Sequence, residues 1–250
     1  MKPAKNTRLF LHLKKWLEQA ALDYNMIEKG DRVLVGVSGG TDSLVLLDLL
    51  STPMLHLPHF EILAVHIDLG FDPAHTGSEA LQRFMSDNGH TCIIKKTCIG
   101  PFSHSPANRK KPCFLCSRLR RKEIFTIADE EGCNKIAFGH HRDDIIETLL
   151  INMFFAREIS TMMPNQPIFN GKLNIIRPLA YLSEHLVKRY AHERGFPHIP
   201  NLCPTAPVSH RMYVKNLLRD LEKDNRHIRD NLFKAMSHVK LDYLPQKGNT

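Results

Sequence analysis

The stretch VLVGVSGGTDSLVLLDLL, residues 33–50, constrains the fold more than any other in this chain. Val33 to Val37 is a continuous apolar run, as in a strand covered on both faces. It passes directly into Ser38-Gly39-Gly40-Thr41-Asp42-Ser43, and an apolar helical pattern follows at once. A buried strand that turns straight into a helix is a β–α unit, and such units assemble into parallel sheets. The alternation recurs. FEILAVHID precedes GSEALQRFMSDNG, and TCIIKK precedes a loop and a helix from about Phe114 to Glu131. NKIAFGHH precedes RDDIIETLLINMFFA, and LNIIRPL precedes SEHLVKRYAHERG. The expected fold is α/β: an open parallel sheet with helices on both faces, right-handed crossovers and small helical extensions at both ends.

The expected organisation has three parts. Residues 1–30 form a basic amphipathic helix, with Leu9, Leu13, Trp16 and Leu17 on one face and Lys14 and Lys15 elsewhere. Residues 31–205 form the α/β domain. Residues 206–250 form a helical extension rich in Lys, Arg and Asp. Two long loops, GPFSHSPANRKKP (100–112) and STMMPNQPIFNGK (160–172), are candidates for function, because long loops in compact α/β domains seldom stand idle.

The loop at 38–43 has a physical reading of its own. Gly39 and Gly40 permit positive φ and close backbone approach to an anion. The helix beginning near Thr41 offers unpaired N–H groups to phosphate, and Ser38 and Ser43 add hydroxyls. The plainer alternative is a glycine turn with Ser or Asp as a helix cap. In GHHRDD, residues 139–144, Asp143 and Asp144 have the chemistry to hold Mg²⁺; the plainer alternative is a helix start favoured by acidic residues. His140 stands where it could meet a phosphate.

With 34 Lys and Arg against 26 Asp and Glu, the chain carries a net charge of +8. Seven of the basic residues fall between Arg109 and Lys122, with no acid among them. Arg109, Lys110, Lys111, Arg118, Arg120 and Arg121 are therefore candidates for contact with a phosphate backbone; a solvated helix face is the alternative. No apolar run is long enough to span a membrane, and the N-terminus lacks the pattern of a secretory signal. The default expectation is a cytoplasmic protein.

Six cysteines in such a chain argue against a disulfide scaffold. Cys92 and Cys133 adjoin strand-like runs and read as buried apolar residues; Cys98 reads as incidental. Cys113 and Cys116 form a CxxC at a helix start. A zinc finger would need further ligands at short spacing, which are absent. A redox pair is a second option. A third joins the pair to Cys203, since three thiolates can hold a 4Fe–4S cluster and leave one iron open.

SGGTDS resembles the PP-loop of the N-type ATP pyrophosphatases, which carry SGGxDS. That resemblance implies a Rossmann-like, adenine nucleotide alpha hydrolase-like fold. It also implies ATP contacts at Gly36, Val37, Ser38, Gly39, Gly40, Thr41, Asp42, Ser43, His66, Gly139, His140 and Asp144, with Mg²⁺ at Asp42, Asp143 and Asp144. PCFLCSRLRR, IAFGHHRDDIIETLLINMFF, IIRPLAYLSE and FPHIPNLC further resemble the tRNA 2-thiocytidine synthetase family, over about residues 8 to 240. This implies a tRNA substrate, thiolated at the anticodon-loop cytidine 32. It implies a 4Fe–4S cluster on Cys113, Cys116 and Cys203 with one open iron to take sulfide, and a cysteine desulfurase as sulfur donor. Asp42, Asp143, Cys113 and Cys116 become the catalytic candidates. A homodimer is left open. The chain departs from the family at Thr41, where a lysine is usual, before Cys203, where a further cysteine is frequent, and after it, in PTAPVSHR. Another PP-loop enzyme, such as a lysidine ligase or a thiouridine synthase, or a non-catalytic ATP- and RNA-binding protein, is the competing reading.

Overall fold

The computed structural model describes residues 7–72, 74–108, 110–197, 199, 202–204 and 210–245. The expectation for Arg109, and the family departures at Pro200 and Asn201, lie outside the described residues. Contacts group the chain into two compact units, Met1–Arg142 with Met163–Pro207, and Asp143–Met162 with Val208–Thr250.

The first unit holds the sheet. Its strands are β1 (Arg32–Gly36), β2 (Glu61–Asp68), β3 (Cys92–Lys96), β4 (Lys135–Phe138), β5 (Asn165–Ile168) and β6 (Leu173–Ile176), in the order β3-β2-β1-β4-β6-β5. β1 pairs in parallel with β2 on one side and β4 on the other. The chain thus winds outward through β2 and β3, then returns to place β4 on the opposite side of β1. The helices, in chain order, are α1 (Arg8–Asp23), α2 (Thr41–Leu50), α3 (Thr76–Asp87), α4 (Ile99–Ser103), α5 (Pro112–Glu130), α6 (Arg142–Ile151) and α7 (Glu184–Glu193).

The alternation of side chains along β1 explains why helices cover both faces. Val33, Val35 and Val37 enter one core with Leu46, Leu49 and Val187 from α2 and α7. Leu34 points the other way, into a second core with Val65, Ile136 and the α5 residues Ile124, Ile127 and Ala128. A strand buried on both sides has no polar face to show, hence its unbroken apolar sequence.

α1 belongs to the first of these cores. Thr7 caps it by accepting a hydrogen bond from the Phe10 N–H at 3.1 Å. Leu9, Leu13 and Leu17 are buried as expected, joined by Phe10, Ala20 and Ala21. The expected face needs two amendments. Trp16 sits at the rim, 38% exposed, edge-on to Tyr181. Lys14 is buried, its charge met by Glu18 at 2.8 Å. One face of a helix is wider than a single stripe, and an ion pair one turn apart lets a lysine lie at its margin.

The segment expected as a loop at 160–172 contains β5, which runs antiparallel to β6. An otherwise parallel sheet therefore ends in an antiparallel edge. Pro167 cannot donate to a further strand, which suits an edge position. The hairpin turns through Phe169, Asn170 and Gly171, all at positive φ (51°, 56° and 82°). The expected loop at 100–112 likewise opens with α4.

The second unit takes in α6 beyond Arg142, then α8 (His210–Asp224) and α9 (Ile228–Ala235). Its own small core comprises Ile146, Leu150, Val214 and Leu218. The helix expected to run to Ala156 changes at Asn152 into a π-helical turn, which ends at Arg157 in the left-handed region (φ 62°).

Leu17 is fully buried. Leu17→Ala is expected to cost about 2–5 kcal/mol, read as a drop in the denaturant midpoint. An unchanged midpoint would show that α1 is not integral to the core.

Candidate active site

Two loops meet at the carboxyl ends of β1 and β4, where the winding of the sheet reverses. In open α/β sheets this is where ligands bind. After β1, the Val37 N–H donates to the Val65 carbonyl at 2.8 Å, so the strand ladder runs to the brink of the loop. Gly39 then takes φ +85°. The loop is closed by its own hydroxyls. The Ser38 N–H donates to Ser43 Oγ at 3.1 Å, the Gly40 N–H to Ser38 Oγ at 3.2 Å, and Ser43 Oγ donates to the Gly40 carbonyl at 2.8 Å. The first turn of α2 begins at Thr41, with Gly40 at the cap position and no side chain covering its N–H groups. Thr41 Oγ1 lies 3.5 Å from Asp42 Oδ1.

The loop after β4 lies directly against this turn. A Cβ on Gly139 would stand 2.8 Å from both the carbonyl carbon and oxygen of Asp42. Only glycine permits that approach. Gly36 is similarly confined, since a Cβ there would meet the Phe138 ring at 2.8 Å. His140 packs edge-on to Phe138. The neighbouring His141, buried and not singled out from sequence, is the histidine that approaches Asp42, at 4.0 Å.

The end of β2 carries His66 and Asp68. His66 is buried, with Nδ1–H donating to the Val37 carbonyl at 2.8 Å and Nε2 3.2 Å from Ser78 Oγ. It braces the phosphate loop from within the protein. Two strands' ends are thereby tied by one ring. Burial is the main reason its pKa is lowered; the Val37 bond and Asp68 oppose the shift, and the Arg120 charge reinforces it. Asp68 lies beside it. Burial would raise its pKa, but bonds from Ser78 (2.5 Å), the Gly70 N–H (2.9 Å) and His75 (2.7 Å) more than offset this and hold it lowered. His75 occupies the left-handed region at φ 53° as it starts α3. Asp68, His75 and Ser78 were not named from sequence. The sole signal was the acid that ends an apolar strand.

The three cysteines singled out from sequence all lie in the first unit. Pro112 opens α5, so Cys113 and Cys116 fall in its first turns, three residues apart on neighbouring positions of the helix. Cys116 is half-buried; burial chiefly raises its pKa, Arg120 lowers it, and Cys203 and Cys113 each raise it further. The thiols at 113 and 203 thus both lie within electrostatic reach of the one at 116. Two contacts seat the Cys203 segment. Ile199 covers the phosphate loop, 3.3 Å from where a Gly39 Cβ would be, and touches the equivalent position of Gly77 at 3.1 Å. Cys203 Sγ lies 3.8 Å from His104 Nε2, and His104 donates from Nδ1 to the Gly100 carbonyl at 3.0 Å. Among the described residues, no group of three or more His, Cys, Asp or Glu side chains is arranged to hold a single metal ion. Around a cluster each thiolate binds a different iron, so the sulfurs stand further apart than around one ion; Arg120 is close enough to act on the Cys116 thiol.

Asp143 and Asp144 belong to the second unit, and both are engaged there. Arg229 Nη1 donates to Asp143 at 2.9 Å, and Arg211 Nη1 to Asp144 at 2.8 Å. The fully buried Glu147 draws on Arg211 at 3.6 Å and Lys215 at 3.7 Å. α8 and α9 therefore supply the cations for the acids of α6. The sequence shows the C-terminal extension as rich in Lys, Arg and Asp without singling out these two arginines. Of the other basic candidates, Lys110, Lys111, Arg118, Arg120 and Arg121 are all exposed.

Known proteins fit this architecture. Residues 9–221 match the family profile described as a PP-loop domain, which defines the class. The tRNA-cytidine(32) 2-sulfurtransferase of Polynucleobacter necessarius subsp. necessarius (strain STIR1) is 41% identical over 235 residues, 90% of this chain and 75% of that protein. The tRNA-cytidine(32) 2-sulfurtransferase of Burkholderia mallei (strain SAVP1) is 42% identical over 248 residues, 96% of this chain and 72% of that protein. The chain belongs to the tRNA-cytidine(32) 2-sulfurtransferase family of PP-loop proteins. Among solved structures, the U34-tRNA thiolase NcsA from Methanococcus maripaludis, determined with its [4Fe-4S] cluster, superposes with a TM-score of 0.75. It is 21% identical and covers 95% of this chain and 80% of that one, a likeness of fold.

Two outcomes test this geometry. Gly139→Ala is expected to cost about 1–3 kcal/mol, because backbone rather than a side-chain tip stands in the way; thermal denaturation reads it. The lowered pKa of His66 gives a sign for pH dependence. A ring that titrates near about 6.5 when unfolded resists protonation when folded, so its contribution is complete above that pH and is lost as pH falls below it. His90 is lowered in the same direction, also by burial. Melting temperature is therefore expected to fall from about pH 7 toward pH 5, with a shallower slope in His66→Gln. An equal slope in the variant would refute the buried-ring account.

Proposed function

We propose that this chain is an ATP-dependent, iron–sulfur-dependent tRNA sulfurtransferase, which replaces the C2 oxygen of the anticodon-loop cytidine 32 with sulfur. The observation that carries the reading is that Cys203, far along the chain, sits within electrostatic reach of Cys116 on a segment whose Ile199 covers the Gly39 turn. Thiol chemistry and nucleotide chemistry would then share one end of the sheet. The family relationship supports the substrate and the reaction.

In this reading Gly36, Val37 and the residues Ser38 to Ser43 receive the triphosphate, through backbone N–H groups and the positive end of α2. Gly139 and His140 wall the opposite side, and His66 holds the loop. Asp42 is a magnesium ligand. Asp143 and Asp144, paired with Arg229 and Arg211 in their own unit, have the chemistry to hold Mg²⁺ and would do so. The target base leaves its stack, as enzymes acting on bases require. Its C2 oxygen attacks the α-phosphorus and pyrophosphate departs. The adenylated C2 is now electrophilic; sulfide attacks it and AMP carries away the oxygen. Cys113, Cys116 and Cys203 would hold the 4Fe–4S cluster, which supplies an iron without a protein ligand where sulfide can bind. Much of the rate comes from holding base, nucleotide and sulfur together, and a further share from charge stabilisation by helix N–H groups and Mg²⁺. A cysteine desulfurase is the proposed sulfur source, and the cytoplasm the proposed setting. The exposed Lys110, Lys111, Arg118, Arg120 and Arg121 would meet tRNA phosphates.

Anaerobic reconstitution with iron and sulfide, followed by incubation with ATP, Mg²⁺ and tRNA and mass spectrometry of the nucleosides, is expected to yield 2-thiocytidine. Cys203→Ala should lose both the brown chromophore and the product. Full turnover in protein without iron would overturn the cluster. Release of AMP and pyrophosphate with a lysine adduct on the base would point instead to a lysidine ligase.

A further inference from the structure

Helix α5 carries more than the thiol pair. Cys116, Leu119, Ile124, Phe125, Ile127 and Ala128 pack against the second core, Phe125 from the half of the helix beyond the basic cluster. At about 100° per residue, Phe114 lies about 200° around the helix from Cys116 and so projects away from that core. It is 67% exposed. Continuing from Phe114, Arg118 and Arg121 follow at four and seven residues, within about 40° of the same line. Both are exposed. Arg120 falls on the other side, which is why its charge acts on Cys116 and His66. The basic cluster read from sequence as one patch is therefore two surfaces. One attends the thiols; the other is a solvent-facing stripe of Phe114, Arg118 and Arg121. Phe102, on the adjoining α4, is also exposed, at 54%. Lys110 and Lys111 precede the helix, and no acid occurs from 109 to 122.

A ring that a helix turns into water, aligned with two guanidinium groups at one-turn spacing, has a specific chemical complement. The ring offers a flat face to an unstacked nucleobase, and the cations meet the phosphates on either side of it. Protein recognition of RNA loops relies on this pairing of stacking and charge. An apolar protein partner would not need the cations, and an acidic one would not need the ring. We propose that Phe114, with Arg118 and Arg121, is the platform on which one splayed base of the tRNA anticodon loop stacks, beside the Cys113–Cys116 pair. This deepens the proposed function and rests on tRNA being the substrate.

The experiment measures binding of an anticodon stem-loop RNA by fluorescence anisotropy across a salt series, using the full chain, with heparin as a polyanion that has no bases. Phe114→Ala is expected to weaken RNA binding about 5- to 150-fold, the loss of one stacked base. The slope of log K against log salt should not change, and affinity for heparin should stay as in wild type. Phe114→Trp should retain RNA affinity, whereas Phe114→Leu, apolar but without a ring, should not. Arg118→Gln and Arg121→Gln should each reduce the salt slope by about one. ATP affinity and melting temperature should be unaltered in Phe114→Ala, since the ring touches neither the core nor the phosphate loop. RNA affinity in Phe114→Ala equal to wild type, full retention by Phe114→Leu, or an equal loss on heparin would each overturn the platform. Wild-type protein that fails to bind the RNA at all would undo the proposed function, and the platform with it.

Discussion

The contact on which the first unit's chemistry depends is the approach of two backbones, at Gly139 and Asp42. With 2.8 Å between a would-be Cβ and the Asp42 carbonyl group, nothing larger than hydrogen fits. The approach packs the loop after β4 against the loop after β1, at the point where the winding of the sheet reverses. The Gly39–Gly40 turn is thereby backed by the loop after β4 on one side and closed by its own hydroxyls on the other. With it, an α-helix start, a histidine pair and an acid share one edge of a rigid sheet.

Around that contact the protein has assembled braces that do no chemistry themselves. His66 spans from the Val37 carbonyl to Ser78, and Asp68 gathers Ser78, His75 and the Gly70 N–H. Buried polar groups are costly unless partnered, and the bonds to the Val37 carbonyl and to Asp68 tie the end of β2 to the loop that follows β1. Ile199 acts from the other side. It packs on Gly39 and Gly77 at once, and thereby ties the segment bearing Cys203 to the nucleotide loop. Cys203 itself lies 3.8 Å from His104 Nε2.

Much of this was legible from the letters. Continuous apolar runs, glycine punctuation and helical stripes identify β1 to β4, β6 and the longer helices within a few residues, because burial on both faces and on one face leave different signatures; α4 was hidden in a segment read as loop. β5 was not legible. NQPI reads as a loop, and only pairing with β6 makes it an edge strand. The Lys14–Glu18 pair and the π-helical turn at Asn152 were hidden for the same reason, since each reflects what packs beside the helix and not its own propensity. At the site, the loop residues and the three cysteines were read from spacing and resemblance. Asp68, Ser78, His75 and His141 were not, because isolated polar residues carry no period. The two acids of α6 look alike in sequence whether they face a metal or an arginine; the partners, Arg211 and Arg229, come from helices some seventy residues later or more.

By itself, then, the sequence determined the class of fold, the candidate phosphate-binding turn and the candidates for thiol ligation. Those are consequences of local pattern: hydrophobic period, glycine conformational freedom and residue chemistry. Only the tertiary structure decided which side chains support the turn, which cations neutralise the acids of α6, and which way each residue of α5 faces. Such matters turn on distances between residues remote along the chain. A helix shows one residue to its core and another to solvent according to where the sheet lies, and the order of letters alone does not say where that is.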